Sequence, residues 1–187
     1  NIHSDYVIEA ALIAQANKSD APIKLVWTRE DDTKSGYFRP MYLHKLKAGI
    51  DSNGKIVAWE HRIVGQSVAA NSAFAAFIEN GVDGTSVEGA TLLPYKMPNF
   101  AVNLHTVESQ VPVLWWRSVG STHTAHSVET FMDQLAAAAG QDPLAFRFAH
   151  LGDDDRYKGV LELVADKSGW GVRQSEGRIK GIAVHKS

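Results

Sequence analysis

Between Tyr42 and Ile63 apolar and polar residues alternate almost one by one. Tyr42, His44, Leu46, Ala48 and Ile50 fall on one face, the turn-forming "DSNG" follows, and Val57, Trp59, His61 and Ile63 share one face on the return. A period of two on both sides of a Gly-containing turn predicts a β-hairpin. Elsewhere the period lengthens. Val7, Ile8, Ala10, Ala11, Ile13 and Ala14 cover most of the circumference of a helix that Ser4 caps and Asp5 and Glu9 favour electrostatically, so a well-buried N-terminal helix is expected. "IKLVW", Ile23 to Trp27, has strand composition, and Thr28 with Asp31 fits a capping box. From Gly65 to Gly89 small residues without periodicity predict a loop or irregular helix lining a cavity, and Ala101 to Glu108 a further strand. Val128, Phe131, Met132, Leu135 and Ala139 form a helical stripe ended by Gly140, after which Asp142 and Pro143 start another helix. A third helix is expected over about Asp155 to Ser168, with Tyr157, Val160, Leu161 and Val164 inward, and "GIAVH" near the C-terminus has strand composition. The implied class is α+β: an antiparallel or mixed sheet containing the hairpin, covered by several helices, as one domain over residues 1–187.

Composition narrows the function classes more than the fold. A hydrophobic fraction of 44%, a charged fraction of 21% and a net charge of -2 leave no basic excess for nucleic acid. The absence of cysteine removes disulfides, thiolate metal sites and iron–sulfur clusters held by this chain. Apolar runs such as "VIEAALIA" are far shorter than the ~20 residues of a membrane span. A first residue other than Met and a final strand-like segment without partner or turn lead us to expect an internal piece of a longer chain.

The richest candidate chemistry lies in "LWWRSVGSTHTAHSVE", Leu114 to Glu129: a strand end, a tight loop, and the start of the strongest helical pattern. Helix N-termini carry unpaired N–H groups and partial positive charge, and Gly120 permits close backbone approach, so with Arg117 the loop could cradle an anion or a metal-bound oxygen. The plainer alternative is that Thr122 or Thr124 caps the helix. His123, His126 and Glu129 share a helical face and could bind a metal, but they lack the HExxH order and are equally explained as a solvated polar face. The acidic runs Glu30, Asp31, Asp32 and Asp153, Asp154, Asp155 sit where helices begin, which explains them without acid–base catalysis. Ser121 lacks the G-x-S-x-G context of a nucleophile elbow.

Four segments together, "KLVWTREDD", "RPMYLHKLKAGIDSNGKIVAWEHRIVGQS", "LPYKMPN" and "VPVLWWRSVGSTHTAHSVETFMDQLAAAAGQDPLAFR", resemble the molybdenum-binding large subunit of xanthine-oxidase-type hydroxylases, nearest to the isoquinoline 1-oxidoreductase beta subunit and aldehyde dehydrogenase branch. The resemblance covers nearly the whole chain. It implies a molybdenum-cofactor-binding type of domain, a molybdopterin cofactor of the cytosine dinucleotide form held between domains of a longer chain, and hydroxylation of an N-heteroaromatic compound or aldehyde with water-derived oxygen. It further implies a small-molecule substrate, a separate iron–sulfur subunit and an electron acceptor as partners, and an isolated fragment that carries no cofactor. The family's aromatic-Arg-Gly-Phe-Gly loop corresponds to Trp116, Arg117, Ser118, Val119 and Gly120, which become the cofactor-binding candidates; no catalytic or metal-ligating residue is expected within the fragment. Two departures stand out: Val119 replaces a phenylalanine that stacks on aromatic substrates in many relatives, and "DGTSVEGA" lacks the arginine that orients purines. The family's glycine-rich cofactor loop would lie before Asn1 and its general-base glutamate after Ser187. A stand-alone binding or scaffold domain of the same fold, and more weakly a carboxylate-based hydrolase, are the alternative readings.

Overall fold

The computed structural model describes residues 5–18, 20–152 and 155–187, with the backbone alone for Asp155. The elements in chain order are α1 (Asp5–Asn17), α2 (Arg29–Ser35), β1 (Tyr42–Ile50), β2 (Ile56–Gly65), a 3-10 turn at Ala75–Phe77, α3 (Gly84–Val87), β3 (Phe100–Thr106), α4 (Ser121–Ala138), α5 (Pro143–His150) and α6 (Asp155–Ser168). Strands β1, β2 and β3 form a sheet in that order, β1–β2 antiparallel and β2–β3 parallel, so the sheet is mixed.

The alternating pattern folds as its period requires. Leu46 opposes His61 and Ala48 opposes Trp59, and Trp59, His61 and Ile63 are all buried on one face. The turn is held by Asp51, whose carboxylate accepts the N–H groups of Asn53 and Lys55, while Gly54 supplies a φ of +76°. The register shifts between Gly49 and Ile50, and this corrects one expected position: Ile56, not Val57, enters the core. Against the sheet lies α4, presenting Val128, Met132, Leu135 and Ala136 to a core that includes Trp59, Tyr95, Phe146 and Leu161, with Phe131 edge-on to Trp59 at 5.1 Å. Gly140, at φ +65°, follows its end. Asp142 caps α5 by accepting the N–H groups of Leu144 and Ala145, with Pro143 in the first turn, and Thr28 and Asp31 make the reciprocal capping box on α2.

Other expectations are overturned. No residue of α1 is buried, and Val7, Ile8 and Leu12 are each more than half exposed; α1 meets Trp27 through Glu9, which accepts its Nε1–H at 2.8 Å, and through Tyr6, edge-on to its ring. Ile23 to Trp27 joins no sheet. The C-terminal "GIAVH" forms no strand either, although Ile182 and Val184 reach the core. In α6 Leu161 is buried and Tyr157 half-buried, whereas Val160 and Val164 point outward. Ser4, Asp153 and Asp154 lie outside the described residues.

Candidate functional site

The loop ahead of α4 starts from an anchored rung. Phe38 and Val113 form a parallel bridge, Leu114 N–H donates to Phe38 O at 3.0 Å, and Gln66 Nε2 donates to Val111 O. Trp116 N to Gly120 then turns tightly into the helix, closed by Val119 N–H on Trp116 O at 2.9 Å. Val119 sits at φ +41°, the left-handed region that a β-branched residue occupies at a cost on the order of 1–3 kcal/mol.

Gly120 has a packing reason to lack a side chain, beside the ligand approach expected of it. A Cβ there would collide with the carbonyl oxygen of Thr85 and stand 2.8 Å from Glu88 Cβ, so the missing side chain lets α3 and the residue after it pack directly on the helix start. The Gly120 N–H donates to Glu88 Oε2 at 3.1 Å. The segment that lacks the expected arginine thus places a carboxylate on the positive end of α4. The capping alternative fails as well: Thr122 Oγ1 donates to Val119 O, and Thr124 Oγ1 donates toward Glu88 O and Gly120 O, so neither accepts a first-turn N–H. Among the described residues, the N–H groups of Arg117 and Ser118 have no acceptor, and the Ser121 hydroxyl is buried without a partner. Free donors of this kind suit an anionic group. The slit between Arg39, Trp115, Trp116, Gly120 and His123 measures about 10 Å³, the room of roughly one water. Beside it, Trp116 is 61% exposed and also borders a cleft of about 240 Å³ shared with Tyr6 and Trp27.

The three residues of the expected metal-or-solvent face go three ways. His126 is exposed, His123 turns toward the sheet, and Glu129 is buried. Among the described residues no group of three His, Asp or Glu side chains is arranged to hold a metal ion. His123 Nδ1 lies 3.0 Å from His44 Nε2, and His44 Nδ1 lies 2.8 Å from His61 Nε2, while Tyr42 stacks on His123 at 3.8 Å between ring centres. Burial and the neighbouring rings depress their basicity, that of His61 to about 4 and of His123 to about 3; burial lowers His44 as well. Neither the triad nor its inner member could be foreseen except through the alternation that puts His44 and His61 on the buried face.

Glu129 instead anchors a second network that sequence reasoning missed. It accepts Arg147 Nε at 3.0 Å, the Tyr95 hydroxyl at 2.8 Å and the Val184 N–H at 3.0 Å, and Arg147, fully buried, also reaches Asp133 at 2.7 Å. Desolvation opposes the Arg147 cation, yet Asp133 and Glu129 more than compensate and strengthen its hold on the proton. This is a structural pairing of α4 with α5 and the C-terminal segment, not a reaction centre. The acidic run of α2 is likewise structural: Asp31 belongs to the capping box, and Glu30 and Asp32 are exposed.

Residues 3–151 match the model of the molybdopterin cofactor-binding domain. The chain belongs to that family. It is 28% identical over 174 residues to the isoquinoline 1-oxidoreductase subunit beta of Brevundimonas diminuta, a match covering 91% of this chain and 22% of that protein. It is 29% identical over 181 residues to a membrane-bound aldehyde dehydrogenase of Gluconacetobacter polyoxogenes, covering 93% and 23% respectively. The fold is shared with quinoline 2-oxidoreductase from Pseudomonas putida 86, at a TM-score of 0.65 and 17% identity over 87% of this chain and 22% of that one. The chain therefore spans about a quarter or less of the length of these relatives. These relatives are named as oxidoreductases and a dehydrogenase, and the α+β class with a mixed sheet is among those the sequence implied.

Proposed function

We propose that this chain supplies one wall of the molybdopterin site in a longer molybdenum hydroxylase, with the Trp116–Gly120 loop as its contribution. The observation that carries the reading is the pair of N–H donors at Arg117 and Ser118, unengaged among the described residues, ahead of a helix start whose Gly120 N–H already holds a carboxylate. These residues fit an anionic group: main-chain donors stabilise it without burying a guanidinium, so the Arg117 side chain, which is exposed, is not required for contact. When bound, the cofactor supplies the two-electron oxidation of the substrate. The chain's own residues position and shield it: Ser118 and Arg117 donate through the backbone, Trp116 covers the outer side, and Glu88 fixes the helix start by holding Gly120. With Val119 in place of a stacking phenylalanine, the reading favours an aldehyde or a small N-heteroaromatic over a purine, as with the isoquinoline and aldehyde enzymes to which the chain is similar. An iron–sulfur subunit and an electron acceptor, and the cytosine dinucleotide form of the pterin, belong to the same proposal.

Support for a longer working protein comes from the surface. The accessible area is 12699 Å², whereas a compact monomer of 20.4 kDa exposes about 8,800 Å². The excess includes Met41 and Leu92, each 89% exposed. Such a chain is built to be covered by more protein.

The test is molybdenum content of the full-length parent. Arg117→Ala should leave occupancy near the wild-type level, whereas Ser118→Pro, which removes one free N–H, should lower it about tenfold or more. Occupancy that falls with Arg117→Ala and survives Ser118→Pro would show that the side chain, not the backbone, makes the contact.

A further inference from the structure

Histidine tautomers are normally dictated by partners outside the ring. His150 shows this: Nε2 accepts the Ile56 N–H at 3.0 Å and Nδ1 faces Phe146 O at 2.7 Å, so its proton is on Nδ1. His44, His61 and His123 have no such arbiter. Among the described residues their ring nitrogens hydrogen-bond only to each other, Nδ1 of His123 to Nε2 of His44 and Nδ1 of His44 to Nε2 of His61. The two end nitrogens, His123 Nε2 and His61 Nδ1, are buried and have no partner among the described residues.

We propose that these three imidazoles act as one proton-relay unit with two states, in which all three rings carry the same tautomer and change it together. The reason is connectivity. His44 uses both nitrogens, so when neutral it donates through one and accepts through the other, and each neighbour must match. With His44 protonated on Nδ1, it donates to His61 and accepts from His123, and every ring is protonated on Nδ1. With His44 protonated on Nε2, both bonds reverse, and every ring is protonated on Nε2. Mixed arrangements set two donors or two lone pairs face to face.

Passage between the states conserves protons. When the fold opens far enough to admit water at both ends, a proton from water binds His123 Nε2, the proton on His123 Nδ1 moves to His44 Nε2, that on His44 Nδ1 moves to His61 Nε2, and the proton on His61 Nδ1 passes to water. No ring has to turn. Each state leaves one buried N–H unpartnered, at His61 in the first and at His123 in the second, so the count of unsatisfied donors does not choose between them. His123 lines the slit with Arg39, Trp116 and Gly120. An acceptor atom placed against His123 Nε2 selects the second state and is registered at His61, two rings away. The depressed basicity of the rings keeps the chain neutral near pH 7, which the two-state behaviour requires. The relay concerns this chain's own residues and stands whether or not the cofactor reading does.

The experiment is two-bond ¹H–¹⁵N spectroscopy of the imidazoles in the 187-residue chain labelled at histidine, at pH 7 over a range of temperatures. The three rings should be neutral, show N–N coupling across both junctions, and give the same Nδ1–H fraction at every temperature. A ring with a different fraction, an imidazolium, or a missing coupling overturns the proposal. His44→Phe should abolish both couplings and separate the fractions of His61 and His123. His123→Phe, which keeps an aromatic ring against Tyr42, serves should that variant not fold: it should remove the outer coupling and leave the inner pair with equal fractions. Unequal fractions in that pair would equally refute the relay.

Discussion

A single atom decides the behaviour of Gly120. Because a Cβ would strike Thr85 O, Gly120→Val should force α3 away from the start of α4 and cost about 1–3 kcal/mol of stability, read as a lower urea midpoint. Arg147 is the larger dependency. Arg147→Met strands Glu129 as a buried, underpaired carboxylate and should cost roughly 3–5 kcal/mol, while the double variant Glu129→Gln/Arg147→Met should recover part of that loss. An unchanged cost in the double variant would mean that packing, not charge, sets the value. Such residues were only half legible. Gly120 stood out because a glycine before a helical pattern demands a reason, but the reason lay in a segment 32 residues away. Arg147 gave no signal at all: an arginine in a short helix reads as solvated, and its partner Glu129 had looked like part of a polar face.

Elements whose faces are settled by their own period were legible; those that depend on a partner were not. Strands β1 and β2 and helix α4 carry their burial in an alternation of two or a stripe, which any register other than the observed one would disrupt. Ile23 to Trp27 has the composition of a strand but pairs with no strand among the described residues, and α1 has the composition of a core helix but buries none of its residues. The histidines linking β1, β2 and α4 make a prediction at this scale. An unfolded histidine titrates near 6.5, whereas His61 and His123 in the fold titrate near 4 and 3. As pH falls below 6.5 the unfolded chain takes up protons that the folded chain refuses, so stability present above that pH is lost progressively toward pH 4. Below it the depressed carboxyl of Asp83 adds its own loss. Urea midpoints measured from pH 7.5 to 4.5 should fall, and His123→Phe should flatten the slope; a parallel slope in the variant would exonerate the triad.

For the molecule as a whole, exposed apolar area is the governing quantity. With Met41, Leu92 and Ile179 at 89%, 89% and 96% exposure, the isolated chain should bind a hydrophobic dye and self-associate at micromolar concentration, which sedimentation velocity measures directly. Elemental analysis of the same sample should find no stoichiometric molybdenum if, as proposed, the Trp116–Gly120 loop is one wall of a larger site; a one-to-one content would overturn that reading. Sheet topology has a kinetic consequence of its own. The β1–β2 hairpin needs only its short turn to close, an event on the order of microseconds, whereas the parallel β2–β3 pairing joins Gly65 to Thr106 across the whole intervening stretch that holds α3. Loop-closure entropy must be met before β3 contributes anything in return. Native-state hydrogen exchange should therefore release the amides of β3 at lower free energy than those of the hairpin, making the third strand the seam along which the sheet first opens.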